Sequence, residues 1–282
     1  MTGLDRRLNA IRDDLADAAL RGSVAAPRFA EGVTRRVAAS AAPVRRRPAS
    51  DAPLDTQALH GETVRVFEEE EGWAWAQLQA DGYVGYLPAA DLAPEGPAAT
   101  HRVGVLRSFV FPGPDLKLPP LDHLPLGARV TVAGEQNGYA ALAGGGFVHA
   151  GHLAPVEARA ADFVAVAESM LGVPYLWGGK TPIGLDCSGL VQLSLAMAGI
   201  AAPRDSDMQE AGLGAILETD ASLTGLRRGD LVFWKGHVGI MTDPATLLHA
   251  NAHHMLVARE KLAEAVARIA ARGSQVTCIR RP

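Results

Sequence analysis

Cysteine is almost absent from the chain, with two in 282 residues, Cys187 and Cys278. Two thiols cannot staple a disulfide framework, so the fold must rest on its own apolar core. Lysine is scarce as well, four against 23 arginines, a bias that fits a GC-rich genome better than a function. No run of about 18 apolar residues occurs, which excludes a transmembrane helix. Residues 1–22 carry acids where a secretory signal needs an apolar centre, so a cytoplasmic protein is expected, with no membrane partner. Net charge is −4, which argues against a nucleic-acid partner. Residues 1–47 hold ten arginines against five acids and read as a solvated basic arm or helix face. Hydrophobic content of 48% and charged content of 21% are those of a globular chain, of two or three domains at this length.

Residues 4–20 space Leu4, Leu8, Ile11, Leu15, Ala18 and Ala19 as one helical stripe, so 1–42 is expected to be a helical segment. Ser40 to Pro53, with three prolines and Arg45-Arg46-Arg47, reads as a linker. Two blocks of short alternating strands follow, 61–94 and 127–155. Each has an alternating Val pair, then Gly72-Trp73 or Gly138-Tyr139, then a closing Leu-Ala-Pro. The spacing is an internal repeat of about 61–66 residues. Such strands with glycine-rich turns imply small β-barrels, and the pattern resembles the bacterial SH3-like domain twice over, at 43–95 and 98–156. Glu68 to Glu71 reads as a solvated turn or strand end.

From residue 157 the period changes. A helix over 161–171, a helix over 187–198, strands over 230–235, 237–242 and 246–250, and a helix over 260–272 give an α+β domain ending at 282. Cys187 opens the second helix, behind Gly178, Gly179 and Gly184. A helix N-terminus favours thiolate over thiol, and the thiolate is the nucleophile. His237 opens one strand and His249 closes the next. The pair is centred on residue 243, in the turn signal Asp243-Pro244, which places the two rings side by side on an antiparallel hairpin. That geometry suits a base, His237, steered by a second imidazole, His249. A zinc set of His249, His253 and a cysteine lacks a further pair of close ligands, so no metal and no cofactor are expected. Arg204, Asp205, Ser206 and Gln209 read as a capped helix start or the rim of a cleft.

The motifs Tyr175-x-Trp177-Gly178-Gly179, Asp186-Cys187-Ser188-Gly189, Arg228-Gly229-Asp230-Leu231, His237-Val238-Gly239-Ile240 and His249-Ala250 resemble the NlpC-type, papain-like cysteine peptidases of bacterial cell-wall metabolism. With two SH3-like blocks in front, the chain resembles the subgroup that cleaves the γ-D-glutamyl–diamino acid bond of murein peptides. The resemblance makes Cys187 the nucleophile, His237 the base and His249 the third member. It also implies that Asp186 and Ser188 bind the substrate's amino end and that Tyr175 assists at the oxyanion. Tyr83 and an acid, Asp51 or Asp55, are implied to contact substrate from the first barrel. The acid is usually a glutamate, from which this chain departs. Trp177 is expected under the cysteine loop or against substrate.

The substrate implied is a murein peptide with a free L-Ala amine, in cell-wall recycling, with no obligate protein partner. Two other classes fit the same residues: a non-catalytic murein-peptide-binding module, and a thiol acyltransferase or amidase on the same fold.

Overall fold

In the computed structural model, which describes residues 3–218 and 223–282, two hairpin turns share one backbone signature. Glu71 and Gly72 have φ of 49° and 80°, and Asn137 and Gly138 have 52° and 76°. Positive φ at both central positions gives the twist that antiparallel strands require, and glycine takes the second position at no steric cost. The first turn joins Thr63–Glu70 to Trp73–Leu78, and the second joins Val132–Gln136 to Tyr139–Leu142. Each block ends in a short 3-10 turn and a Leu-Ala-Pro strand.

The chain divides into two units, 1–158 and 159–282. In the first unit a seven-stranded sheet runs in the order Leu54–Leu59, Ala41–Arg45, Val84–Pro88, Trp73–Leu78, Thr63–Glu70, Val33–Val37, Leu92–Pro94. Its core is small and aliphatic: Val37, Val44, Val64, Leu78 and Leu87 among alanines. Residues 101–155 form three smaller sheets around Val103, Leu124, Val130 and Val148.

Expectations fail at three places in this unit. No α-helix forms over residues 4–20, where the helical turn is a single 3-10 turn at Ala18–Leu20. Leu15–Asp17 is instead a strand paired in parallel with Arg28–Ala30. The helical stripe loses to two local carboxylate turns, in which Asp5 accepts from the Arg7 amide and Asp17 from the Ala19 amide. It also loses to packing, because Ala10 and Leu15 bury against Phe67 and Trp75 while Leu4 stays 46% exposed. Glu69, Glu70 and Glu71 are exposed at a strand end and turn, as read, but Glu68 is the acid that Arg12 and Arg28 grip from this segment. Nor is Ser40 to Pro53 a linker, since Ala41–Arg45 and Leu54–Leu59 pair as a hairpin. Pro43 is tolerated because the other side of its strand meets the sheet through one pair, Arg45 with Tyr86.

In the second unit a six-stranded antiparallel sheet runs Ala215–Ile216, Val276–Arg281, Leu231–Trp234, His237–Met241, Thr246–Asn251, Leu256–Lys261. Helices α1 (Phe163–Ser169), α2 (Cys187–Met197), α3 (Ser206–Gly212) and α4 (Leu262–Ala270) complete it. α2 is apolar almost all round and buried along nearly its whole length, as a central helix should be. It packs against the His237–Met241 and Thr246–Asn251 strands. α4 places Leu262 and Ala265 with Val232, Trp234, Met241 and Leu247. It starts at Leu262, not 260, because Leu256–Lys261 continues the sheet.

The Arg228-Gly229-Asp230-Leu231 motif braces this unit. Arg228 pairs with Asp162, which caps α1, and with Glu168 near its end. Asp230 is fully buried and takes two hydrogen bonds from Arg281 and one from the Arg227 amide. Removing one partner of such a pair strands the other. Asp230→Ala should therefore lower the stability of this unit by about 2–3 kcal/mol in urea denaturation. A loss below about 0.5 kcal/mol, the size of an ordinary surface substitution, would contradict this account of the motif.

Candidate active site

Asp186 is the N-cap of α2, and its Oδ1 accepts from the Gly189 amide at 2.7 Å. Its Oδ2 accepts from the Gly178 amide at 2.9 Å. Arg204, 1% exposed, closes on the same carboxylate with both terminal nitrogens, at 2.6 and 3.0 Å, and donates to the Ser188 hydroxyl at 2.8 Å. Gln209 donates to the Ser188 carbonyl. The glycines fit the same joint: a Cβ on Gly189 would lie 2.2 Å from the Gly179 carbonyl oxygen, and one on Gly179 2.3 Å from that of Gly184. The Gly-Gly and Asp-Cys-Ser-Gly motifs are therefore a packing requirement that fixes where α2 begins.

That beginning is Cys187, 7% exposed, with its sulfur in reach of the backbone N–H groups of Val238 and Ser188. Val238 follows His237 in the chain, so the thiol meets the backbone next to the first histidine. The expectation of a lowered thiol pKa is reversed. Burial pushes Cys187 up to about 12, and the Asp186 charge adds to it, against the pull of the two amides and Arg204. Tyr175 stands near enough to feel Cys187 and Asp186, and burial first, then those charges, raises its phenol to about 12, so it remains an O–H donor.

The histidines meet, though not in the expected register. The hairpin pairs Ile240 with Leu248 and Met241 with Leu247, so it is centred on Pro244 rather than Asp243. The cause is a three-residue loop in which the Asp243 carboxylate accepts from the Ala245 and Thr246 amides. The shift keeps both rings on one face as diagonal neighbours. His237 Nε2 and His249 Nδ1 are 2.8 Å apart. Gly239 gives the room, because a Cβ there would meet Leu247 at 2.7 Å and the His249 Cβ at 3.2 Å.

Sequence reasoning missed Glu260, whose Oε1 lies 2.6 Å from His249 Nε2 and which is ion-paired with Arg268. The sequence reads it as a helix start, and the strand that carries it, LVAREK, runs three apolar residues into three charged ones with no alternation to mark it. Burial first, then the His249 and Arg268 charges, holds His237 down at about 3, with Glu260 opposing. Burial and Arg268 hold His249 at about 3. His249, His254 and Glu260 have ligand atoms within 4.8 Å of one another. Both His249 nitrogens are already hydrogen-bonded and Arg268 holds Glu260, so this donor set suits a line of protons better than an ion.

The other predicted residues sit as follows. Trp177 is 65% exposed and does not pack under the cysteine loop. Arg204 and Gln209 are buried, not a rim, and Asp205 stands at the N-cap position of α3. In the first unit Tyr83 is buried, Asp55 pairs with Arg46, and Asp51 is exposed. Cys278 is a free thiol in the last strand.

Two outcomes follow. Arg204→Met should cost about 3–5 kcal/mol by leaving Asp186 buried alone. Arg204→Lys should recover only part of that, lacking the planar fork; full recovery would refute the two-pronged clamp. Secondly, the buried imidazoles sit below their ordinary value of 6.5, so the unfolded chain binds more protons below that pH. Their contribution to stability is complete above about pH 6.5 and shrinks as pH falls toward 3. The urea midpoint of this unit should be lower at about pH 5.5 than at pH 7; no change would contradict neutral buried histidines.

Comparison with known proteins agrees with this geometry. Residues 44–92 match the bacterial dipeptidyl-peptidase Sh3 domain, and residues 172–269 match the NlpC/P60 family. A γ-D-glutamyl-L-lysine dipeptidyl-peptidase of Bacillus subtilis (strain 168) is 30% identical over 229 residues, 71% of this chain and 73% of that protein. Dipeptidyl-peptidase 6 of Lysinibacillus sphaericus is 33% identical over 90 residues, 32% of each chain. The crystal structure of an NlpC/P60 family protein from Bacillus cereus shares the fold, with a TM-score of 0.74 at 20% identity over 88% of this chain and 99% of that one. A cysteine at the head of a buried helix, two hydrogen-bonded histidines on the adjoining hairpin and these relatives agree: the chain belongs to the NlpC/P60 family of cysteine peptidases.

Proposed function

We propose that the protein hydrolyses the γ-D-glutamyl–diamino acid bond of murein peptides that carry a free N-terminal L-Ala, releasing the L-Ala-D-Glu dipeptide for recycling in the cytoplasm. The observation that carries the chemistry is the convergence of Cys187, the Val238 amide and the His237–His249 hydrogen bond. The relatives' names support the bond class. The second block, 98–156, is on this reading another SH3-like barrel, supported by the repeated turn and Leu-Ala-Pro strand.

Cys187 attacks the γ-carbonyl as His237 takes the thiol proton. With thiol and imidazole both neutral at rest, the transfer accompanies the attack instead of preceding it. His237 then delivers that proton to the leaving amine. An acyl-enzyme remains, and water activated by the same ring hydrolyses it. Tyr175 offers its O–H to the oxyanion. Asp186 was expected to bind the substrate amine, yet its lone pairs already accept from Gly178, Gly189 and Arg204. We therefore give it the task of setting the cysteine. For the amine, the resemblance names Tyr83 and one of Asp51 and Asp55, and Asp51 is the one without a salt bridge among the described residues.

Cys187→Ala should keep the fold and abolish turnover, and His249→Ala should cost less in kcat than His237→Ala, since an orienting group matters less than the base it serves. Wild-type activity in the first variant, or the reverse order in the second pair, would sink the assignment. A tripeptide with its amine free should exceed its N-acetylated form by about 100-fold in kcat/KM, the scale of a lost charge-assisted contact plus a clash. Equal values would refute the amine requirement, and Tyr83→Phe, which tests the role the resemblance gives Tyr83, should narrow the gap.

A further inference from the structure

We propose that Glu260 is a positioning residue for this reaction: its carboxylate, held by Arg268, fixes the tautomer of His249 and thereby leaves the base nitrogen of His237 free. The inference rests on the cysteine-peptidase reading above and assigns a role to a residue outside the cysteine and histidine motifs. In the sheet, His249 pairs with Ala258, so Glu260 lies two residues farther along the neighbouring strand and on the same face. That diagonal brings its Oε1 to 2.6 Å from His249 Nε2.

The proton inventory then has one solution. An ionised carboxylate only accepts, so His249 carries its single proton on Nε2 and donates it to Glu260. His249 Nδ1 is left as an acceptor. His237 Nε2, 2.8 Å away, must donate to it. A neutral imidazole has one N–H, so His237 Nδ1 keeps its lone pair and is the nitrogen able to take the Cys187 proton. One acid at the far end of the line therefore decides which atom of His237 is the base. During attack the S–H bond breaks and an N–H bond forms at Nδ1, and no proton needs to reach Glu260. Its charge favours the imidazolium that forms, against Arg268 and His249, which disfavour it. Arg268 anchors the acid from α4. His253 and His254 face His249 from the turn beyond its strand and add no negative charge that could replace Glu260.

The test combines kinetics with spectroscopy on the full chain. Glu260→Gln keeps shape and an acceptor oxygen but loses the charge, whereas Glu260→Leu loses both. We expect kcat to fall about 10-fold and about 100-fold respectively, with KM little changed, the range for groups that orient a reacting residue. In a His249→Ala background Glu260→Gln should cost almost nothing further, because its effect runs through that ring. Nitrogen-15 spectra of the histidine-labelled wild-type protein should show both His237 and His249 protonated on Nε2 and bare on Nδ1. A folded Glu260→Gln with unchanged kcat, the same loss in both backgrounds, or a proton on His249 Nδ1 would each overturn the proposal. The spectra need no substrate, so a failure of the proposed peptide specificity leaves the tautomer result standing and distinguishable.

Discussion

The buried ion pair between Asp186 and Arg204 is the constraint on which the site depends. Asp186 caps α2, ties the glycine loop through Gly178, and is itself held by a guanidinium that water does not reach. A buried carboxylate with a single partner is costly, but this one is met by Arg204 and two amides, which leaves little of its desolvation penalty uncompensated. The result is positional. The first residue of α2 can only be where Cys187 is, and glycine is required at 179 and 189 because the backbones approach too closely for a side chain. The task assigned to Asp186 is thus mechanical, and the nucleophile's place is set before substrate binds.

Reactivity follows from what surrounds that fixed sulfur. Burial works against the helix N-terminus and wins, so the resting enzyme holds a neutral thiol beside neutral imidazoles. A thiol kept neutral reacts slowly with alkylating agents and oxidants, and in the proposed mechanism it is activated only when a carbonyl arrives to share the charge. The three groups behind it, His237, His249 and Glu260, form one hydrogen-bonded line anchored on Arg268.

The catalytic unit was largely legible in the sequence because its motifs are local consequences of close packing and turn chemistry. The cysteine at a helix start and two histidines on one hairpin could be read from spacing alone. Register was off because the Asp243 carboxylate, accepting from the Ala245 and Thr246 amides, centres the turn on Pro244 instead of on Asp243. Arg204 and Glu260 were misplaced for a shared reason: a charged residue's burial depends on a partner distant in sequence, Asp186 for one and His249 with Arg268 for the other. The N-terminal segment failed most completely. Its period of apolar residues was real, but Phe67 and Trp75 supply a surface that a short extended segment covers, and Glu68 rewards Arg12 and Arg28 for staying extended.

The account comes down to which bond of a murein peptide is broken and by which atom. The most direct measurement is mass spectrometry of L-Ala-γ-D-Glu-diaminopimelate after incubation with the wild-type protein and with Cys187→Ala. The account predicts intact L-Ala-D-Glu dipeptide and free diamino acid from the wild type and unchanged tripeptide from the variant. Free alanine with a γ-D-Glu-diamino acid remnant, or equal cleavage by both proteins, would contradict it.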